Sequence, residues 1–443
     1  MRFETVNSDA LLASLASQTA GYRQMLVAYS GGLDSCVLLH LLVTLRQRSN
    51  IDVRAAYVHH GLNPLADSWA EHCRHQCRQW LVPFATLAVT VDAQNGGVEA
   101  AARAARYQVL KAHLQDDEIL LTAQHLDDQS ETFLLALKRG SGPAGLSAMA
   151  AKTISDNHTL LRPLLGFSRR QLEQYARQHQ LCWIEDDSNH DERFDRNFLR
   201  RRVLPLLTQR WPHFPVAVSR SAQLCAEQEQ LLDELLAESL RALCQSDGSL
   251  SIEGMLPLSQ VRRFALLRRW LAEQGVPMPA RDQLQRLWHE VAVSRQDADP
   301  VLQLNQRQIR RFRRRLYVLP LMRSLKGRVL PWQPVSGPLA LPDGLGYVLL
   351  SDEGIAIRAP HVGEQVSIRF SAGGVVHMVG RTHGRQIKKL WQELSVPPWL
   401  RDRTPLVFYN ERLIAALGQF VTLEGQAKED EPHWHIVWRQ AGI

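Results

Sequence analysis

The sequence predicts an α/β protein in three parts: an N-terminal domain on a parallel sheet (residues 1–215), a helical middle domain (216–330) and a small α+β C-terminal domain (345–443). Three observations predict it. Strand and helix patterns alternate through the first part. Beyond Pro205, leucines recur at helical spacing, at 231, 232, 235, 236, 240 and 243. The Pro/Gly-rich stretch Pro331–Gly344 then reads as a linker ahead of short strands and one helix, Ile387–Leu394.

In chain order, strands are expected at Met25–Tyr29, Val53–His59, Phe84–Val91 and Glu118–Ala123. Helices are expected between them at Asp34–Arg46, Asp67–Leu81 and Val98–Leu114. Short apolar strands joined by helices form a parallel sheet covered on both faces. Ligands of such sheets bind outside the carboxyl ends of the strands. Three polar motifs follow three of those ends: SGGLDS (Ser30–Ser35), HHGLN (His59–Asn63) and QHLDDQ (Gln124–Gln129). Further on, Leu224–Gln245, Val261–Gln274 and Gln283–Val293 read as helices of the middle domain.

The turn SGGLDS has the chemistry of a phosphate cradle. Gly31 and Gly32 allow backbone angles and close approach denied to other residues. The free N–H groups of the following helix start attract an anion, and Ser30 and Ser35 add hydroxyl donors. Asp34 repels a polyphosphate unless Mg²⁺ lies between them. The turn therefore reads as an ATP pyrophosphate site, with Ser30, Gly31, Gly32, Leu33, Asp34 and Ser35 around the phosphates and Asp34 toward the metal. It is neither a Walker A motif nor a GxGxxG turn. The plain alternative is a glycine turn with Asp34 or Ser35 as a helix cap.

Other constellations carry weaker signals. In EAAARAARY (Glu99–Tyr107), Arg103 and Arg106 share a helical face and could hold phosphate, or simply pair with Glu99. Asp128 and Glu131 lie three apart at a helix start, so both point into one space. Their guest would be a cation, Mg²⁺ or an ammonium; otherwise they only complement the helix dipole. The stretch Ile184–Pro205 mixes acids, amides and arginines and could be a capped surface helix.

The formal net charge is +7, which favours a polyanionic partner. Nine Lys or Arg and no acid lie between Pro300 and Trp332, densest at Arg307–Arg315, and a second cluster holds Arg196, Arg200, Arg201 and Arg202. Either could equally be a solvated face. The six cysteines contain no CxxC pair, which argues against a disulfide framework and a zinc ribbon. Cys73 and Cys77 share a helical stripe with Trp69 and Trp80 and read as core, not metal ligands. Apolar runs are too short to span a bilayer. The N-terminal stretch lacks a signal-peptide layout, so a cytoplasmic protein is expected.

SGGLDS, VHHGLN, EAAARAARY, HLDDQSET, KRGSGPAGLSAM and EDDSN…RNFLRRRVLP occur in that order, and Gly380–Gly418 adds a C-terminal match. Together they resemble the tRNA(Ile)-lysidine synthetase family of the PP-loop ATP pyrophosphatase superfamily. SGGLDS alone would indicate only the superfamily. The resemblance covers most of 25–205 and much of 360–420. It implies a Rossmann-like PP-loop domain that uses ATP and Mg²⁺ to adenylate the C2 carbonyl oxygen of the wobble cytidine in the CAU-anticodon isoleucine tRNA. L-lysine then displaces AMP through its ε-amine. It also implies that Asp128 and Glu131 hold the lysine. Arg103 or Arg106, and Arg196, would stabilise charge near the phosphates and the activated base. The basic stretches would bind tRNA. A tRNA thiolase of the same superfamily is the alternative, but it depends on cysteine pairs or an iron–sulfur cluster. The sequence does not fix the oligomeric state and leaves a homodimer open.

Overall fold

The computed structural model describes residues 8–61, 63–90, 98–155, 157–187, 191–295, 298–334, 337–428 and 431–440, with backbone only at 98–100. Leu62, the Glu99 side chain and Ser188–His190, all within motifs named above, lie outside the described residues. The chain divides into two compact units, Met1–Glu234 and Leu235–Ile443.

The first unit runs α1 (Ser8–Gln18), β1 (Gln24–Ala28), α2 (Leu33–Arg46), β2 (Asp52–His59), α3 (Ala66–Gln79), β3 (Phe84–Ala88), α4 (Val98–His113), β4 (Glu118–Leu121) and α5 (Leu126–Lys138). After the short α6 (Pro143–Leu146) come β5 (Lys152–Ser155), β6 (His158–Leu161), α7 (Arg169–Gln178), α8 (Asp195–Phe198) and α9 (Leu204–Arg210). The sheet order is β3-β2-β1-β4-β6-β5, parallel throughout except β5, which pairs antiparallel with β6. The four expected strands and three expected helices of this region form. The β5–β6 hairpin and α7 were not foreseen, because four-residue strands carry too little periodicity.

The apolar run of β1 follows from burial on both faces. Met25 and Val27 enter a core with Leu11, Leu15, Val37, Leu41, Leu172 and Tyr175. Leu26, between them, faces the other way, against Ala56, Leu110 and Leu120. Cys73 and Cys77 lie fully buried in the first core with Trp69 and Trp80 packed against it, as their stripe predicts. The chain passes from β2 on one side of β1 to β4 on the other, which opens a crevice at the carboxyl end of β1.

The helix predicted at Leu224–Gln245 is the latter part of a 30-residue helix, Phe214–Leu243. The second unit contains helices Gln260–Glu273 and Arg281–Arg286, the latter continued by a π-helical turn to Ala292. The middle region is not helical throughout. Leu250–Ser251, Arg315–Pro320, Arg307–Phe312 and Val301–Leu304 form a four-stranded antiparallel sheet. The arginine-rich run is therefore a β-hairpin, with Arg313 and Arg314 at positive φ in its turn. The remaining strands are antiparallel, in sheets of five, three and two, with helix Ile387–Glu393 burying Leu390 and Trp391. No helix among the described residues is long and apolar enough to cross a membrane.

The stretch expected to be a linker is a packed part of this unit. Trp332 is 4% exposed and shares a core with Leu341, Val348, Ile368, Phe370 and Tyr409. Its backbone N–H donates to Val366 O at 3.0 Å and its indole N–H to Gly337 O at 3.2 Å. Proline and glycine marked turns here, while one tryptophan supplied the anchor. Trp332→Ala is expected to destabilise this unit by about 3–5 kcal/mol. Calorimetry of the full chain would show one transition lowered and that of the N-terminal unit in place; two unchanged transitions would refute the anchor.

Candidate active site

A cavity of about 600 Å³ opens at the carboxyl ends of β1, β2 and β4. Its walls include Ser30, Gly32, Leu33, Asp34 and Ser35 after β1, His60 after β2, and Thr122, Gln124 and Asp128 after β4. All three polar motifs thus reach one space. Arg103, Arg106, Arg169, Arg196 and Arg200 also line it.

The glycine turn separates the roles of its two glycines. Gly31 has φ +78°, and a Cβ there would sit 2.6 Å from Ile184 Cδ1 and 2.8 Å from Cys73 Sγ. Its carbonyl accepts the Ile184 N–H at 2.8 Å, which ties Ile184–Pro205 to the turn. Gly32 differs from expectation: its φ is −74°, which any residue adopts, and a Cβ would meet nothing closer than 3.6 Å. Gly32 is the N-cap of α2, and no side chain caps that helix. The capping alternative for Asp34 and Ser35 therefore fails. The Ser35 hydroxyl instead donates to Gly32 O at 2.9 Å and lies 3.1 Å from Ser30 Oγ. The first N–H groups of α2 are left for a guest.

Asp34 faces His125, whose Nε2 lies 3.5 Å from Asp34 Oδ2 and 3.5 Å from Asp128 Oδ2. Arg169 Nη1 stands 4.0 Å from the same Asp34 oxygen. Burial opposes ionisation of Asp34, but His125, Arg169 and Arg200 outweigh it and hold its pKa below the ordinary carboxylate value. Asp34 Oδ1 is buried with no hydrogen-bond partner among the described residues. His125, the N-cap of α5, accepts the Asp127 N–H on Nδ1 at 3.2 Å. Burial alone would lower its pKa, yet Asp34, Asp128 and Asp127 raise it to about 9. Protonation competes with the cap, since Nδ1 cannot both accept that N–H and carry a proton.

Asp128 does act as a helix-start acid: its Oδ2 accepts the His125 N–H at 3.0 Å in a capping box. It also does more. The Arg200 guanidinium donates to Glu131 Oε1 at 2.7 Å, Glu131 Oε2 at 3.0 Å and Asp128 Oδ1 at 3.1 Å. The cation between the two carboxylates is thus Arg200, and both Glu131 oxygens are engaged. Glu131 is 0% exposed; burial raises its pKa although Arg200 pulls the other way. Arg200 sits on a π-helical turn, Leu199–Val203, a distortion common at functional sites.

The other predicted arginines divide. Arg106 Nε lies 3.4 Å from His60 Nε2, and burial lowers the pKa of both groups. Arg103 stacks over Tyr107, its Cζ 5.1 Å from the ring centre. Arg196 Nη2 reaches Thr132 Oγ1 at 3.4 Å. Arg201 and Arg202 pair with Glu192, outside the crevice. Sequence reasoning assigned no role to His125 or Arg169 and placed Arg200 only in a basic cluster expected to bind tRNA or to face solvent. His125 stood inside a named motif; its place between two carboxylates follows from the fold alone.

Cys36, Cys73 and Cys77 are buried in the core, and burial pushes Cys36 and Cys77 up to about 12. Such thiols are poor nucleophiles, which removes three of the six cysteines from thiolase chemistry. Among the described residues no His/Cys/Asp/Glu cluster is arranged to hold a metal by itself.

Residues 5–207 match the PP-loop domain, 250–317 the TilS substrate binding domain and 366–438 the TilS substrate C-terminal domain. The tRNA(Ile)-lysidine synthase of Pectobacterium atrosepticum is 74% identical, over 98% of this chain and 99% of that one. That of Serratia proteamaculans is 62% identical, over 98% and 100%. That of Yersinia pestis is 56% identical, over 99% and 98%. With an ATP-using PP-loop domain and relatives matched along nearly their whole length, the chain belongs to the tRNA(Ile)-lysidine synthase family of ATP-dependent ligases.

Proposed function

We propose that the crevice converts the wobble cytidine of the CAU-anticodon isoleucine tRNA to lysidine in two steps at one site. In the first, the C2 carbonyl oxygen attacks the α-phosphorus of ATP and pyrophosphate leaves. In the second, the ε-amine of L-lysine attacks C2, the C2–O bond breaks and AMP leaves. The observation that carries this reading is a single cavity lined by an uncapped helix start, Asp34, Asp128 and Arg200, with Glu131 buried and bonded to Arg200.

The helix start, with Ser30 and Ser35, would hold the phosphates; Arg103, Arg106 and Arg196 would receive charge developing on phosphate and base. Mg²⁺ suits the site: Asp34 Oδ1 is buried and unpartnered among the described residues, and this ion is commonly held by one carboxylate plus substrate phosphates. Bound there, it would neutralise phosphate charge that Asp34 otherwise repels.

Lysine poses two problems. Its ammonium has a pKa near 10.4, so about one molecule in 2,500 is neutral at pH 7, a deficit of about 4.6 kcal/mol. In this reading Glu131 accepts the proton, since burial raises its pKa. Yet Arg200 engages both Glu131 oxygens. For the lysine ammonium to reach Glu131, Arg200 must swing away, toward the anionic adenylate. Exchange of one cation for another keeps the buried carboxylate compensated throughout.

In this reading residues 1–215 carry the chemistry, while 216–330 and 345–443 hold and select the tRNA in the cytoplasm. Pyrophosphate release from ATP is expected only with the CAU-anticodon tRNA present, and Asp34→Ala should abolish it; release by the wild type without tRNA would count against the mechanism. Glu131→Gln should still form adenylated tRNA while lysine use weakens at least tenfold, and an unchanged KM for lysine would remove Glu131 from the substrate site. The two glycines separate strain from ligand approach. Gly31→Ala should cost about 1–2 kcal/mol of stability from its positive φ, more from its collisions. Gly32→Ala should melt like the wild type but bind ATP more weakly; equal ATP affinity would show that the phosphates do not approach Gly32.

A further inference from the structure

Behind Arg103 lies a second cavity, of about 250 Å³, lined by the cationic side chains Arg103, Lys111 and Arg162, the imidazole of His158 and the hydroxyls of Thr153 and Ser155. No carboxylate occurs among the described residues that line it. Arg162 is 8% exposed, and two of its bonds go from Nη1 to Ala150 O at 2.7 Å and to Thr153 Oγ1 at 3.1 Å. Its Nε is buried with no hydrogen-bond partner among the described residues. The charged and ionisable groups acting on it are the Tyr107 hydroxyl and another cation, Arg103. A guanidinium stays protonated in a protein. Among the described residues no carboxylate pairs with this buried charge, and such a charge is costly until an anion arrives.

We propose that this second cavity binds a phosphate group, supplied by a backbone phosphodiester of the RNA close to the reacting base. Arginine forks match phosphate oxygens, and Lys111, which also donates to Ser155 Oγ at 3.2 Å, adds positive charge. Three leucines, Leu114, Leu120 and Leu160, exclude water from one side and strengthen the attraction. The volume is small for a whole nucleotide but ample for one phosphate. Arg103 and Tyr107 line both cavities, so an anion seated here adjoins the reaction crevice. The site lies beyond the ATP turn and uses none of its residues.

The test is tRNA binding to the full chain between 50 and 200 mM salt, with Arg162→Gln and Lys111→Gln. Each variant should bind tRNA severalfold more weakly. The slope of log affinity against log salt should become shallower by about 0.7, the value for one single-strand phosphate contact. ATP affinity without tRNA should not change. A purely structural Arg162 would lower the melting temperature and leave the slope alone, which overturns the proposal. Should Arg162→Gln fail to fold, Lys111→Gln decides in the same way. Unchanged tRNA binding with severalfold weaker inhibition by inorganic pyrophosphate would assign the cavity to the released product and overturn the RNA phosphate. Lysidine formation by the wild type, measured alongside, tests the activity separately.

Discussion

The Arg200 guanidinium between Asp128 and Glu131 is the interaction on which the catalytic unit depends. Without it, two carboxylates three residues apart on α5, one sealed from solvent, would repel each other and one would take up a proton. With it, the start of α5 is fixed, Asp128 can also cap the helix, and His125 is held between Asp128 and Asp34. Charge balance therefore links the end of β1 to the end of β4. Three carboxylates, Asp34, Asp128 and Glu131, stand against the guanidiniums of Arg169 and Arg200 and the imidazole of His125, whose pKa Asp34 and Asp128 raise.

A buried ion pair is a poor device for stability alone, because desolvation offsets most of the attraction. Here it fixes the two carboxylates of α5 against Arg200 beside the crevice. A guanidinium is weakly hydrated and planar, so it can leave a carboxylate for a phosphate at small cost. A lysine at position 200 would neutralise the same charge, but it would lose the fork that spans both Glu131 oxygens and Asp128. The π-helical turn beneath Arg200 supports the same view: it aims consecutive arginines in different directions, Arg200 inward and Arg201 and Arg202 to Glu192.

What the sequence made legible was local. Alternating apolar runs located β1 to β4 and the helices between them, because both periods are written in neighbouring residues. The crevice was legible too, since strand ends in a parallel sheet share one edge. Tertiary pairings were not legible. Glu131 and Arg200 are 69 positions apart, and nothing local distinguishes Arg200 from Arg201. Gly32 looked as necessary as Gly31, and only backbone angles separate them. Proline and glycine correctly marked turns around Trp332, but turn signals cannot say that the residue between them is core. The arginine-rich hairpin was hidden for a related reason: long polar side chains mask the alternation that identifies a strand.

That hairpin also changes how the basic charge acts. Arg310 pairs with Asp299 and Arg314 with Glu253, so part of the run is neutralised within its own unit. Arg311 is different. It donates to the carbonyl oxygens of Ser294 and Arg295, and among the described residues no carboxylate pairs with it. A guanidinium committed to carbonyls has few donors left to grip a phosphate, but it still contributes to the positive field. The run is thus better suited to attracting a polyanion at a distance than to reading it in contact. Long-range attraction is screened within about 10 Å at 0.1 M salt. Discrimination between similar RNAs must then come from shape and from donors still free to turn, rather than from the densest stretch of arginine.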